Sequence, residues 1–213
     1  MKKELIIATV KSLLFCTILI LISCNQNKEK AVTMNGTNIL LEEWKGPYGG
    51  VPAFDKMNIN DIKNALEVGM QQNLEEIDVI TLNSDAPTFE NTIVAMEKAG
   101  ETLDRVQKYY GLWSANVSSP EFREIQGEMA PLLSDFSSKI SQNKKLFNRI
   151  KTVYHNSLIT PLEDDQQRVV KLIYEGFAID GAELDDEKKI RYAEINKELS
   201  TLYTNFSNNI LAD

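Results

Sequence analysis

From Asn60 to the end of the chain, apolar residues return every three or four positions, and this single pattern rules out most architectures. Ile62, Leu66, Met70, Ile77 and Ile80 make one such stripe, continued between them by Leu74 or by Asn73 opposite it. Residues at these spacings lie on one face of an α-helix, whereas a half-buried strand needs alternation at every second residue. No run of that second kind competes, so the expected fold is all-α. A second helix is expected to open near Thr88, after Pro87, and to run through Ile93, Met96, Leu103, Val106, Tyr110 and Trp113. Gly100 falls inside it as a tolerated weak point, and at about 1.5 Å per residue the helix would approach 40 Å.

Helix boundaries follow from local chemistry. Ser119-Pro120 reads as a start, since serine can cap an amide and proline at the first turn lacks only a donor that has no partner there anyway. The stripe Phe122, Ile125, Met129, Leu132, Phe136, Ile140 follows, with Pro131 inside it, so a kink or a break into two is expected. Leu146, Ile150, Val153 and Tyr154 mark a shorter helix ending near Asn156-Ser157. Thr160 and Glu163 stand at capping-box spacing around Pro161, which predicts another start, with Val169, Val170, Ile173 and Phe177 facing inward. Asp180-Gly181 ends that element. Asp185, Asp186 and Glu187 then put negative charge where the dipole of the last helix favours it, and Ile190, Ala193, Leu199, Leu202, Phe206 and Ile210 give that helix its apolar side. Every one of these stripes is read as core.

The chemistry available is narrow. A net charge of −8 and the absence of any dense basic patch interleaved with aromatics argue against a nucleic-acid partner. The only cysteines are Cys16 and Cys24, so nothing later in the chain can form a disulfide or a thiolate metal site. The single histidine, His155, has no second histidine at helical spacing with which to share a metal and reads as a partly exposed helix-end residue.

The amino terminus reads as an address. Met1-Lys2-Lys3 is followed by the apolar run Leu13–Ile22, which is too short for the roughly 20 residues needed to span a bilayer core and suits a signal peptide. Leu21-Ile22-Ser23-Cys24 then resembles a bacterial lipobox. This assigns residues 1–23 to a lipoprotein signal peptide, places cleavage between Ser23 and Cys24, and makes Cys24 the lipid attachment site through which the protein meets a membrane. The expected location is the cell envelope, at the outer membrane or facing the periplasm. Several acyl chains, at about 0.8 kcal/mol per buried methylene, would hold such a protein stably. Residues 24–45 follow as the lipidated cysteine and a polar tether, and 46–213 as the helical body. The stretch from Trp44 to Phe54, rich in Gly, Pro and rings, is expected to be irregular and pinned by its aromatics.

Three segments are recognisable in order. Pro52-Ala53-Phe54-Asp55-Lys56-Met57, then Ile62–Met70, then Asn83-Ser84-Asp85-Ala86-Pro87-Thr88-Phe89-Glu90-Asn91-Thr92-Ile93 are similar to the start of peptidyl-dipeptidases and oligopeptidase A. Gly181-Ala182-Glu183-Leu184, Arg191–Ser200 and Phe206–Leu211 look like the long helix ahead of that family's central region. The resemblance, over roughly residues 40–213, implies the amino-terminal helical portion of a thimet-oligopeptidase-like zinc metallopeptidase, a two-lobed, zincin-type enzyme with a channel that admits short peptides. It implies a hydrolase acting in proteolysis, releasing carboxy-terminal dipeptides, with this region in the channel wall. In that family H-E-x-x-H and a later glutamate hold zinc, and the motif glutamate activates the bound water. This chain has no H-E-x-x-H, so no catalytic or metal residue is carried over, no zinc is expected on it, and it is expected to be inactive without the carboxy-terminal catalytic region. A truncated or incompletely read enzyme gene is the favoured account. The alternative is a non-enzymatic, lipid-anchored helical binding or scaffold protein at the cell envelope.

Overall fold

The computed structural model describes residues 38–47 and 50–212. Among them every regular element is helical apart from an isolated antiparallel bridge between Lys45 and Val51. Six long helices follow one another: α1 (Ile59–Leu82), α2 (Glu101–Asn116), α3 (Pro120–Ser141), α4 (Lys144–Ile159), α5 (Asp164–Ile179) and α6 (Asp186–Ala212). None of the helices in the described residues is long and apolar enough to cross a membrane.

Helix α1 is the spine because its apolar stripe serves two cores in turn. Its first half brings Ile62, Ala65, Leu66 and Met70 against Leu103, Val106 and Tyr109 of α2 and Phe122 and Met129 of α3. Its second half brings Ile77 and Ile80 against Ile93, then Leu146, Ile150 and Val153 of α4 and Val170 of α5. Asn73, rather than Leu74, continues the buried stripe between the two clusters. Helices α1 and α2 can approach closely because Gly69 has no side chain: a Cβ there would stand 3.0 Å from the Leu103 Cα. Each large side chain buried in these clusters contributes about 1.5–3 kcal/mol relative to exposure. Both clusters close within residues 40–170, so the body holds a core of its own.

Ring packing organises the entry segment as expected. Trp44 meets Tyr109 edge-on at 6.2 Å, Phe54 meets the same ring at 5.2 Å, and the Ala53 N–H donates to the Tyr109 hydroxyl at 2.8 Å. One boundary moves: Leu40, inside the stretch assigned to the tether, is fully buried in the first cluster, and the Asn38 side chain donates to the Asp61 carbonyl, so the body begins by Asn38.

The long second helix is corrected. It breaks at Ala99-Gly100, where Gly100 takes φ of +87° and a Cβ would stand 2.3 Å from the Asn73 side-chain nitrogen. The glycine therefore ends one helical segment and starts another, because the left-handed turn favours a residue without Cβ. Before the break, Phe89–Val94 winds as a π-helix and Ala95–Lys98 as a short α-helical turn. The predicted start at Thr160 is also corrected. Thr160 ends α4, Pro161 lies between helices, and α5 opens at Asp164 after Glu163 with no side-chain cap. Ser119 behaves as expected, accepting from the Phe122 N–H at 3.3 Å with Pro120 first in the helix. Helix α3 passes through Pro131 without splitting, at the loss of the hydrogen bond to the Gly127 carbonyl. Gly181 closes α5 with φ of +88°, and the Ala182 N–H reaches back to the Phe177 carbonyl at 2.9 Å.

Candidate functional site

The family-like segment from Asn83 to Ile93 is built around a buried arginine. Thr88 and Asn91 form the capping box: the Thr88 hydroxyl accepts from the Asn91 N–H, and the Asn91 side-chain oxygen accepts from the Thr88 N–H at 2.8 Å. The Asn91 amide nitrogen donates to the Ala86 carbonyl, so one side chain ties both ends of the turn. Arg149 of α4 then donates to the Asn83 carbonyl at 2.9 Å, the Asp85 carbonyl at 3.2 Å and the Asn91 side-chain oxygen at 2.9 Å. It is only 7% exposed. A guanidinium suits this place because its planar fork serves several acceptors at once. The signature therefore positions α1 against α4 and presents no reactive group. Sequence reading passed over Arg149, although its place on the apolar face, three residues after Leu146 and four before Val153, was the available signal.

Among the described residues α6 exposes a long apolar face, and its principal neighbour is α3, against which its hydrogen bonds run antiparallel. The side of α6 that meets α3 is small and polar. The Lys197 ammonium pairs with Asp135 at 2.7 Å, the Ser200 hydroxyl donates to the Ala130 carbonyl at 3.2 Å, and the Asn208 amide donates to the Arg123 carbonyl at 3.3 Å. The reading of its apolar stripe as core is therefore corrected: Leu202, Tyr203, Phe206 and Ile210 are 55–68% exposed, and Ile190, Ile195 and Leu199 are exposed too. From Leu199 to Ala212 no residue is charged. A solvated helix normally turns charge to water and apolar groups to its neighbour, and α6 does the reverse.

At its amino-terminal end α6 borders an open groove of about 660 Å³, lined by Asp135, Lys139, Asp186, Lys189, Glu194 and Lys197. Acids and bases alternate there, and two are already joined as an ion pair, so the groove has no dominant charge. The Lys189 ammonium is buried against the end of α3 and donates to the Gln142 carbonyl at 3.4 Å; burial pushes its pKa down, and nearby Lys144 adds to this. That is the position where a cation complements the negative end of a helix. Just before α6, Glu183 accepts from Lys151 at 3.2 Å and from the Tyr174 hydroxyl at 3.1 Å, and these bonds hold its carboxyl below the usual range.

None of this fits a zinc ion. His155 is exposed on α4 beside the rings of Tyr154 and Tyr174, at 5.5 and 6.2 Å, and among the described residues no three His, Cys, Asp or Glu side chains gather as ligands. Ser23 and Cys24 lie outside the described residues.

Residues 62–189 match the family model described as the N-terminal domain of neurolysin and thimet oligopeptidase. The chain is 31% identical over 176 residues to a dipeptidyl carboxypeptidase of Salmonella typhimurium, covering 83% of this chain and 26% of that protein. It is 31% identical over 161 residues to the Escherichia coli dipeptidyl carboxypeptidase, covering 76% and 24%, and 28% identical over 162 residues to oligopeptidase A of Haemophilus influenzae, again covering 76% and 24%. The chain thus spans about a quarter of the length of the curated relatives it matches. With the matched stretch running from the first turn of α1 into the first turn of α6, the chain belongs to the neurolysin/thimet oligopeptidase peptidase family and carries its amino-terminal, all-α part.

Proposed function

We propose that this chain is the amino-terminal region of a zinc metallopeptidase that hydrolyses short peptides and releases carboxy-terminal dipeptides, and that it forms part of the wall of the substrate channel. The observation that carries the reading is the family match over residues 62–189, together with relatives named for peptidase activity. The body supplies shape: a spine helix, two closed clusters and the Arg149 clamp hold the helices in fixed register. The zinc ligands and the glutamate that activates water belong to the catalytic region of such an enzyme, with which this region would pack. When bound, zinc supplies a polarised water for attack on the peptide carbonyl; residues of this chain bound the space in which the peptide lies.

Cleavage after Ser23 and acylation of Cys24 would place the protein at the cell envelope as a lipoprotein, tethered through residues 25–37. Mass spectrometry of the amino-terminal peptide from the native membrane fraction tests this: a diacylglyceryl mass on Cys24, abolished by Cys24→Ser, supports it, and an unmodified cysteine in a longer peptide refutes it.

The peptidase reading is tested by sequencing the source locus through and beyond codon 213 and translating every downstream frame. An in-frame H-E-x-x-H followed by a glutamate-bearing helix, in a product whose dipeptide release is abolished by a chelator and restored by zinc, is the expected result. A stop with no such motif would overturn it and leave a lipid-anchored helical scaffold.

A further inference from the structure

We propose that the groove between the end of α1, the α3–α4 turn and the first turn of α6 is a site for a phosphate-type oxyanion, held chiefly by the Lys189 ammonium. The inference rests on residues of this chain and is independent of the peptidase reading. Among the described residues two cations are buried, and they are served very differently. Arg149 places its guanidinium on two backbone carbonyls and the Asn91 side chain. Lys189 is 6% exposed, and an ammonium has three protons to give, yet its hydrogen bonding is confined to the 3.4 Å contact with the Gln142 carbonyl. Among the described residues no carboxylate pairs with it within 4.0 Å. Lysine is almost never buried unless it is paired, so the element missing here is a counter-ion. The carboxy-terminal carbonyls of α3 offset about half an elementary charge, and the nearby Lys144 ammonium acts the other way.

The surroundings gather donors. The groove is open, measures about 580 Å³, and sets Lys144, Lys145 and Lys189 against Asp78 and Asp186. That leaves one positive charge in excess, in a chain that carries −8 overall. Asp186 is already engaged by Lys144 in an exposed ion pair. The Gln142 side-chain nitrogen, in the same lining, is buried without an acceptor.

Helix α4 breaks a local rule at the same place. Its first turn carries Lys144 and Lys145 and no acid, at the end where the helix dipole is positive and favours anions. Two cations that weaken their own helix end, a buried ammonium without a counter-ion and an orphan amide donor border one space, and a bound anion reconciles all three. The lining holds lysines and no arginine. Compact ammonium charges suit a tetrahedral phosphate, whereas a planar carboxylate is best matched by the fork of an arginine.

The test uses residues 25–213, which retain both core clusters, with inorganic phosphate as the probe and sodium chloride at matched ionic strength as the control. Titration calorimetry is expected to give one phosphate per chain, with a dissociation constant that rises roughly tenfold or more in Lys189→Met and severalfold in Lys145→Gln. The exposed Lys56→Gln should leave it unchanged. Glycerol 3-phosphate distinguishes the source: tighter binding than inorganic phosphate assigns the site to phosphate monoesters, and equal or weaker binding assigns it to the free ion. The thermal midpoint in phosphate-free buffer separates this site from a lysine that only complements the end of α3. Replacing an unpaired buried charge by an apolar side chain should raise the midpoint of Lys189→Met, whereas loss of a purely structural contact would lower it. A lowered midpoint, equal phosphate binding by Lys189→Met and the unaltered protein, or a response no larger than that to chloride would overturn the proposal.

Discussion

Helices α1 and α6 are of similar length, 24 and 27 residues, and both are amphipathic, yet they use their apolar sides in opposite ways. Helix α1 buries its stripe in two clusters and turns Lys63, Glu67, Gln71, Glu75 and Asp78 outward. Helix α6 touches α3 through Lys197, Ser200 and Asn208 and turns Leu202, Tyr203, Phe206 and Ile210 outward. The difference teaches that amphipathic spacing marks which side of a helix is destined for burial, while what does the burying is a separate question. Helix α1 finds its cover inside this chain, whereas α6 leaves its apolar face exposed among the described residues. The exposed polar bonds along α3 are of the kind that contribute about 0.5–1.5 kcal/mol each, little beside the burial that fixes α1.

Mutations can break or sharpen this contrast. The largest effect is expected from Phe122→Ala, which empties a fully buried site where α1, α2 and α3 meet: a loss of about 4 kcal/mol in urea unfolding, with the slope unchanged. Arg149→Met should follow at about 3 kcal/mol, because it strands the Asn83 and Asp85 carbonyls and the Asn91 side chain that the guanidinium serves. Hydrogen exchange should then quicken across residues 83–94 before it does in α2. Leu202→Ser, by contrast, should change the unfolding free energy of the dilute monomer by less than about 0.5 kcal/mol, since it removes no buried contact. A loss as large as that of Phe122→Ala would place α6 in the core and erase the contrast.

The smallest effect is a pH signature of the body. Burial pushes the Tyr110 phenol up to about 12. The folded state therefore keeps a proton that the unfolded state gives up near 10, so stability is unaffected below about pH 10 and declines as pH rises from there toward 12. Absorbance of phenolate at alkaline pH should show a late ionisation step near pH 12 that vanishes in urea.

Much of this was legible in the chain. The stripes of α1 and α4 located the cores, that of α5 did so through Val170 while Val169, expected inside, is exposed, and Ser119-Pro120 and Asp180-Gly181 marked real boundaries because their chemistry is local: a hydroxyl over the Phe122 amide, a glycine with positive φ. The misses share a cause. Gly100 is a terminator because Asn73, far away in sequence, leaves no room for a side chain, and the Thr88–Asn91 capping box depends on Arg149 to hold its asparagine. Thr160 had the right spacing but lies at the end of α4, whose last turn claims its N–H through the Asn156 carbonyl. The stripe of α6 was visible, and only tertiary placement revealed that it points away from α3. As for the site, the clamp and the open face required the neighbours that only folding brings together.

The central claim is that this chain is the structural, amino-terminal part of a peptidase, with chemistry supplied by residues it does not contain. The most direct measurement is the hydrolysis of a short blocked peptide by purified residues 25–213, with and without added zinc, followed by mass spectrometry of the products. The account predicts that the peptide stays intact under both conditions while the protein remains folded and unfolds cooperatively. Zinc-dependent release of a carboxy-terminal dipeptide, lost on chelation and restored on adding metal back, would contradict it.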